Sequence, residues 1–200
     1  MVAINPKRLY GSWDEGYALD FHTLQSSFVG YDEYGHERFD TIRSEIGELL
    51  YTLKYKSDRS AQSGIVDTLV NFLHTRWNVI PYLNGVVPVP PSRIGRPFQP
   101  VLEIARELSV KIQVPFLEDT LSKTSKTPEL KDVYNFDDRF ELLKDAFSVD
   151  RPLVEGKKFL LFDDLYRSGA TLNAISRLLR EQGGAKRIYV LALTKTRSKT

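Results

Sequence analysis

The sequence predicts an α/β protein, a parallel sheet with flanking helices and a small N-terminal β-hairpin hood. Three observations lead there. Residues 158–162 read as an apolar strand, 170–182 as a helix and 187–193 as a further strand, and a strand–helix–strand unit of this kind makes a parallel sheet through a crossover helix. The run Gly85-Val86-Val87-Pro88-Val89-Pro90 is short, apolar and stopped by proline, as a buried strand would be. Helical spacing recurs elsewhere, with Ile46, Leu49, Leu50 and Leu53 on one face and Ile65, Val66, Leu69, Val70 and Leu73 on another.

In chain order, Gly16 to Thr23 alternates loosely and Ser27-Phe28-Val29 continues it. Asp32-Glu33-Tyr34-Gly35 signals a turn, and Glu37 to Ile42 returns as the second strand of a hairpin. We therefore divide the chain into a β-rich hood over 1–43 and an α/β domain over 44–200. Ser44 is placed to cap the first helix. Val101, Ile104, Ala105 and Leu108 mark another helix, and Gln113 to Leu117 a short strand. Residues 119–138 are polar with little periodicity, which in a compact domain points to a mobile or functional stretch. Gly183-Gly184 ends the helix over 170–182, since glycine accepts the left-handed conformation that closes helices.

Composition narrows the function classes. The 200 residues are 42% hydrophobic and 27% charged, ordinary for a folded domain. Cysteine is absent, which excludes disulfides, thiolate zinc sites and a cysteine nucleophile, and fits a cytoplasmic location. No stretch approaches the roughly 18 apolar residues of a membrane span, and the first residues lack a signal-like apolar core. We expect no membrane partner. Between residues 14 and 50 nine acids face two basic residues, whereas the remainder carries 26 basic against 17 acidic. A basic body with an acidic appendage suits a polyanionic ligand near the body.

The informative segment is Phe162-Asp163-Asp164-Leu165-Tyr166-Arg167-Ser168-Gly169-Ala170-Thr171-Leu172. It lies where a parallel strand gives way to a helix, the place where open α/β sheets bind ligands. Adjacent carboxylates there need hydroxyl donors or a hydrated divalent cation to share their charge. Ser168, Gly169, Ala170 and Thr171 open the helix, and their unpaired amides at the positive end of its dipole form an anion cradle. Acceptors for a diol and donors for a phosphate on one loop suit a ribose 5-phosphate. The competing interpretation is a solvated Asp-Asp turn before an ordinary helix cap. Neither Gly-x-x-x-x-Gly-Lys-Ser/Thr nor Gly-x-Gly-x-x-Gly is present.

This segment resembles the loop of type I phosphoribosyltransferases that binds 5-phosphoribosyl pyrophosphate (PRPP), with Ser168 where Thr is more usual. The resemblance extends over about residues 44–194 to the ComF-like branch, linked to bacterial DNA uptake. It rests on Leu53-Lys54-Tyr55-Lys56-Ser57-Asp58, Val86 to Arg93, Arg96-Pro97-Phe98-Gln99, Ala146-Phe147 and the Asp163 loop. It implies a Rossmann-like core of the type I phosphoribosyltransferase kind. It further implies Asp163 and Asp164 as catalytic groups, PRPP binding by these two with Arg167, Ser168, Gly169, Ala170 and Thr171, and pyrophosphate binding by Pro91, Ser92 and Arg93. Mg²⁺ would be carried by PRPP near Asp163 and Asp164, with no histidine or cysteine ligand. Relatives often form homodimers. Many in the branch begin with cysteine pairs, whose place the acidic hairpin takes here, and differ near Pro97, Lys123, Pro128 and Leu142, so the acceptor is open.

Lys123, Lys126 and Lys131 suit either a loop closing over pyrophosphate or a solvated surface. His22, His36 and His74 lack metal-ligand spacing. Trp13, Tyr17, Phe21, Phe28, Tyr31 and Tyr34 suit packing of the hairpin onto the body better than stacking on a base. The basic run over 186–200 suits a frayed tail, or weak nucleic-acid contact. Two functions are expected from this. One is a Mg²⁺-dependent phosphoribosyltransferase acting on a nitrogenous acceptor such as a nucleobase. The other is a non-catalytic PRPP- or nucleotide-binding module, or a DNA-uptake accessory.

Overall fold

The computed structural model describes residues 1–56, 58–91, 98–124, 143 and 145–197. The chain runs through β1 (Lys7–Arg8), β2 (Glu15–Phe21), β3 (Thr23–Tyr31) and β4 (Glu37–Arg43) into α1 (Glu45–Tyr55) and α2 (Ser60–Phe72). It continues through β5 (Gly85–Pro88), α3 (Pro100–Ile112), β6 (Leu121–Lys123) and β7 (Phe147–Val149). A single helical turn at Arg151–Val154 precedes β8 (Lys158–Tyr166), α4 (Ala170–Glu181) and β9 (Arg187–Lys195).

Five strands form the central sheet in the order β1-β2-β9-β8-β5. All neighbours are parallel except β1, which runs antiparallel to β2 at one edge. Side chains alternate across the strands, so each sheet face has its own core. On one side Phe159, Leu161, Ile188 and Val190 pack against Leu172, Ile175 and Leu179 of α4. On the other, Leu160, Phe162, Leu191 and Leu193 meet α1, α2 and α3 through Leu50, Leu69 and Leu108. This is the expected α/β architecture. The Ser44 cap also forms, its hydroxyl accepting from the Gly47 amide at 3.1 Å.

The N-terminal segment differs from the sequence reading. Residues 16–29 do not form one hairpin strand. Glu15–Phe21 is an inner strand of the main sheet, parallel to β9. Ala18 and Leu19 face opposite cores and are both fully buried, a pattern a two-stranded hood could not supply. The chain breaks at His22, whose amide donates to the Lys195 carbonyl at 2.8 Å. Within residues 16–43 the hairpin consists of β3 and β4. Its aromatics do not pack onto the body: Trp13 is core and Tyr17 packs edge-on to Phe72 and Trp77, but Phe28, Tyr31 and Tyr34 are exposed. The strand expected over 113–117 reduces to a single bridge between Phe116 and Val86. At the start of the polar stretch, β6 pairs antiparallel with β7.

Candidate functional site

β8 extends beyond the expected end at Phe162 to Tyr166, because Asp163, Leu165 and Tyr166 keep pairing with Ala192, Thr194 and Lys195 of β9. The connection to α4 is therefore only three residues long. Asp163 and Leu165 line an open cleft together with Tyr166 and the turn over 167–172. Asp164 does not line it. As its neighbour in a strand, it points to the opposite face, where Lys54 of α1 forms an ion pair with its Oδ2.

The chemistry of the two acids differs accordingly. Burial, reinforced by the charge of Asp164, pushes the Asp163 carboxyl from the ordinary 3.8 up to about 7. Backbone bonds oppose this, including the Asp164 amide donating to Asp163 Oδ1 at 2.8 Å. A carboxyl in that state gains from any cation or hydroxyl that enters the cleft and favours its ionised form.

Opposite Asp163, the first amides of α4 have no intrahelical acceptor. Gly169 holds the turn with φ 82, and a Cβ there would lie 2.6 Å from the Tyr166 hydroxyl. Glycine is required on both counts. The Ala170 amide reaches Ser168 Oγ at 3.4 Å. Asn173 fixes the turn from below. Its amide and its Nδ2 both donate to the Gly169 carbonyl at 2.9 Å, and its Oδ1 accepts from the Ser12 amide at 2.8 Å. Arg180 and Arg187 hold Asp14 at 2.9 and 3.1 Å, so the segment leading into β2 is tied to α4 as well. The Gly169 carbonyl is thus drawn into the helix, the turn over 167–172 lines the cleft, and a helix N-terminus of this kind favours an anion through its dipole.

Of the residues singled out in the sequence, Asp163, Arg167, Ser168, Gly169, Ala170 and Thr171 come together around one cleft. Pro91 follows β5 at the same end of the sheet, where the Val89 amide donates to the Phe162 carbonyl at 2.9 Å. Ser92, Arg93, Lys126 and Lys131 lie outside the described residues. Lys123 sits in β6, half-buried, with its ammonium pKa lowered by desolvation, and does not line the cleft.

Four further residues complete the surroundings, of which Asn173 and Thr194 carried no signal in the sequence. Lys54 and Asn173 are the partners just described. Thr194 is buried and donates to the Asp164 carbonyl at 3.2 Å, with His22 Nδ1 3.4 Å from the same hydroxyl. Burial and the cations Arg43, Lys54 and Arg167 hold the His22 pKa below its usual value, against the pull of Asp164. Among the described residues no three His, Asp or Glu side chains gather into a metal-holding group. None of the helices among them is long and apolar enough to cross a membrane.

No family model matches the sequence, and no curated protein matches it either. Solved structures do share the fold. Adenine phosphoribosyltransferase from Saccharomyces cerevisiae, complexed with D-2,5-dideoxy-2,5-imino-altritol 1,6-bisphosphate and adenine, superposes with a TM-score of 0.50 at 13% identity, covering 85% of this chain and 84% of that one. Adenine phosphoribosyl transferase from Trypanosoma brucei, in complex with AMP, pyrophosphate and ribose-5-phosphate, gives 0.50 at 12% identity over 94% and 73%. The allosteric regulatory enzyme of purine biosynthesis gives 0.50 at 21% identity, over 81% of this chain and 34% of that one. The chain thus has the α/β fold of the type I phosphoribosyltransferases.

Proposed function

We propose that the protein binds PRPP in the β8–α4 cleft and transfers its 5-phosphoribosyl group to a nitrogenous acceptor, a nucleobase being the class favoured, with release of pyrophosphate. The observation that carries this reading is the convergence of Asp163 with the amide-rich turn over 167–172 in one cleft. The turn would hold the 5-phosphate through its amides and the Ser168 and Thr171 hydroxyls, and this remote binding energy positions the reacting carbon. Asp163 would accept from the ribose hydroxyls and stabilise the positive charge that grows at the anomeric carbon as the bond to pyrophosphate breaks. The acceptor nitrogen then supplies the electron pair of the new bond. Its proton leaves without an assigned base.

The donor set suits a cation that arrives on the diphosphate better than a resident one, since the Asp163 carboxyl is the cleft's acid. Bound Mg²⁺ would draw charge from the leaving pyrophosphate. Pro91, Ser92 and Arg93 are assigned to pyrophosphate, and Lys123, Lys126 and Lys131 to a closing loop, on the sequence resemblance alone. The same resemblance supports the ComF-like branch as the specific relationship.

One observation favours the non-catalytic alternative. Asp164 is engaged by Lys54 and turned from the cleft, leaving a single acid to serve the sugar. The two readings separate in one experiment. The protein is incubated with PRPP, Mg²⁺ and a panel of bases, and pyrophosphate is measured. Release that requires a base and falls at least about a hundredfold in Asp163→Asn supports transfer. Thermal protection by PRPP without release supports a binding module. Absence of protection by PRPP or ribose 5-phosphate removes both.

A further inference from the structure

The β3–β4 hairpin is built unlike the rest of the molecule. Both of its faces are largely exposed, and Phe28, Tyr31 and Phe39 are 52%, 66% and 51% accessible. Phe28 packs edge-on against Phe39 at 5.7 Å and against Tyr31 at 5.2 Å, so the three rings form a layer with water on its outer side. The hairpin is anchored at its base, where Arg43 pairs with Glu48 at 3.4 Å and lies over the Tyr51 ring at 3.8 Å. An isolated two-stranded ribbon is marginal in water. A lasting hairpin of this composition calls for a covering partner.

Among the described residues no strand pairs with the outer edge of β3 or of β4, and these two edges differ. Both irregularities of the ladder fall on β3, where Leu24 and Val29 are extra residues opposite an unbroken partner. Bulges of this kind spoil an edge for further pairing. β4 runs without interruption over its seven residues. Within its sequence, Glu37-Arg38-Phe39-Asp40-Thr41-Ile42-Arg43, the triplet Arg38-Phe39-Asp40 is complementary to itself when reversed about Phe39.

We propose that the free edge of β4 docks on the β4 edge of a second copy, antiparallel, across a two-fold axis at Phe39. This register sets Arg38 opposite Asp40 twice, Phe39 opposite Phe39 and Glu37 opposite Thr41. Arg38 and Asp40 share one face of the strand, so both ion pairs form there. The other face carries Phe39 and its neighbour Phe28 from each copy, joining two small aromatic layers into one. Charged side chains on an edge ordinarily discourage pairing, but here they select a single register. Moving the axis to Asp40 sets two carboxylates against each other. That register would also draw on Arg43, which Glu48 and Tyr51 already hold. The contact is isologous and closes at two copies. Asp32, Glu33, Glu37 and Asp40 outnumber the basic residues of the hairpin, which argues against nucleic acid as the occupant.

The inference does not depend on the phosphoribosyl reading, and its test uses no ligand. Sedimentation velocity on the full chain, up to roughly 100 μM, reports the species present, with circular dichroism and melting curves confirming that each variant folds. Wild type is expected to dimerise. Arg38→Asp and Asp40→Arg alone each place like charges opposite one another and are expected to weaken the dimer about tenfold or more. The double variant R38D/D40R restores two opposite-charge pairs and is expected to restore the dimer. A monomeric wild type overturns the proposal, as does a dimer indifferent to the single swaps or one that the double variant does not recover.

Discussion

Asp163 and Asp164 are adjacent in sequence and serve opposite faces of the sheet. Asp163 opens into the cleft beneath the α4 N-terminus, whereas Asp164 is paired with Lys54 on the side of α1. An Asp-Asp pair that reads as one two-acid site is therefore divided by strand geometry into one cleft-facing and one framework carboxylate. The separation eases the repulsion between the two acids, since a lysine shares the charge of one and burial raises the pKa of the other to about 7.

The protonation of Asp163 gives a pH dependence. Its folded pKa of about 7 exceeds the ordinary 3.8, so between these values the folded state holds a proton that the unfolded chain has lost. The contribution of this group to stability is fullest at low pH, falls as pH rises towards 7 and is flat above. Asp163→Asn should therefore gain melting temperature relative to wild type between pH 5 and pH 8. A ligand that donates hydroxyls to the ionised carboxylate should bind wild type more tightly over the same rise. Titration calorimetry with ribose 5-phosphate checks this, with Asp163→Asn correcting for ionisation of the phosphate itself.

Gly169→Ala tests the turn. The left-handed backbone costs a residue with a Cβ about 1–2 kcal/mol, and the new atom would press on the Tyr166 ring. A loss of several degrees in melting temperature is expected. Adding Tyr166→Ala should recover the part due to the clash and leave the part due to φ.

Asn173 offers a separation of stability from binding. Asn173→Ala leaves the part-buried Ser12 amide without its acceptor, while the Gly169 carbonyl keeps the backbone amide at position 173, and should cost about 1–3 kcal/mol. Asn173→Asp keeps an acceptor for the Ser12 amide but sets a carboxylate against the Gly169 carbonyl. It should remain closer to wild type in stability than a comparable loss in ribose phosphate affinity would suggest, because the added charge lies under an anion site. Melting curves and calorimetry on both variants decide it.

Lys54→Met strands the Asp164 carboxylate at a largely buried position. A loss of about 1–3 kcal/mol is expected, less than for a fully buried pair. In the double variant Lys54→Met/Asp164→Asn the unpaired charge is gone, and denaturant unfolding should show stability partly restored.

The β8–α4–β9 unit was legible because its signals are local. Apolar strands, the α4 stripe of Leu172, Ile175 and Leu179, and the closing Gly183-Gly184 are written within some forty residues. The site loop was legible for the same reason, as small residues before a helix have one favoured backbone arrangement. β2 was not. Its alternation reads equally as a hairpin strand, and what makes it an inner strand is β9, which lies far along the chain. The end of β8 is hidden on similar grounds, since Asp163 and Asp164 read as a polar loop and stay extended only through the ladder to β9.

The sequence by itself determined the α/β class, the helices α1 to α4, the position of the loop and, among the residues lining its cleft, Asp163 and the turn from Arg167 to Thr171. Only the tertiary structure decided that Asp164 belongs to Lys54, that Asn173 ties the turn to Ser12, and that β2 lies in the sheet while the hairpin stands apart. The physical reason is range. Helix caps, turns and periodicity arise from neighbours in the chain, whereas strand partners and ion pairs between elements depend on residues tens to hundreds of positions apart, which only packing of the sheet and its helices brings into contact.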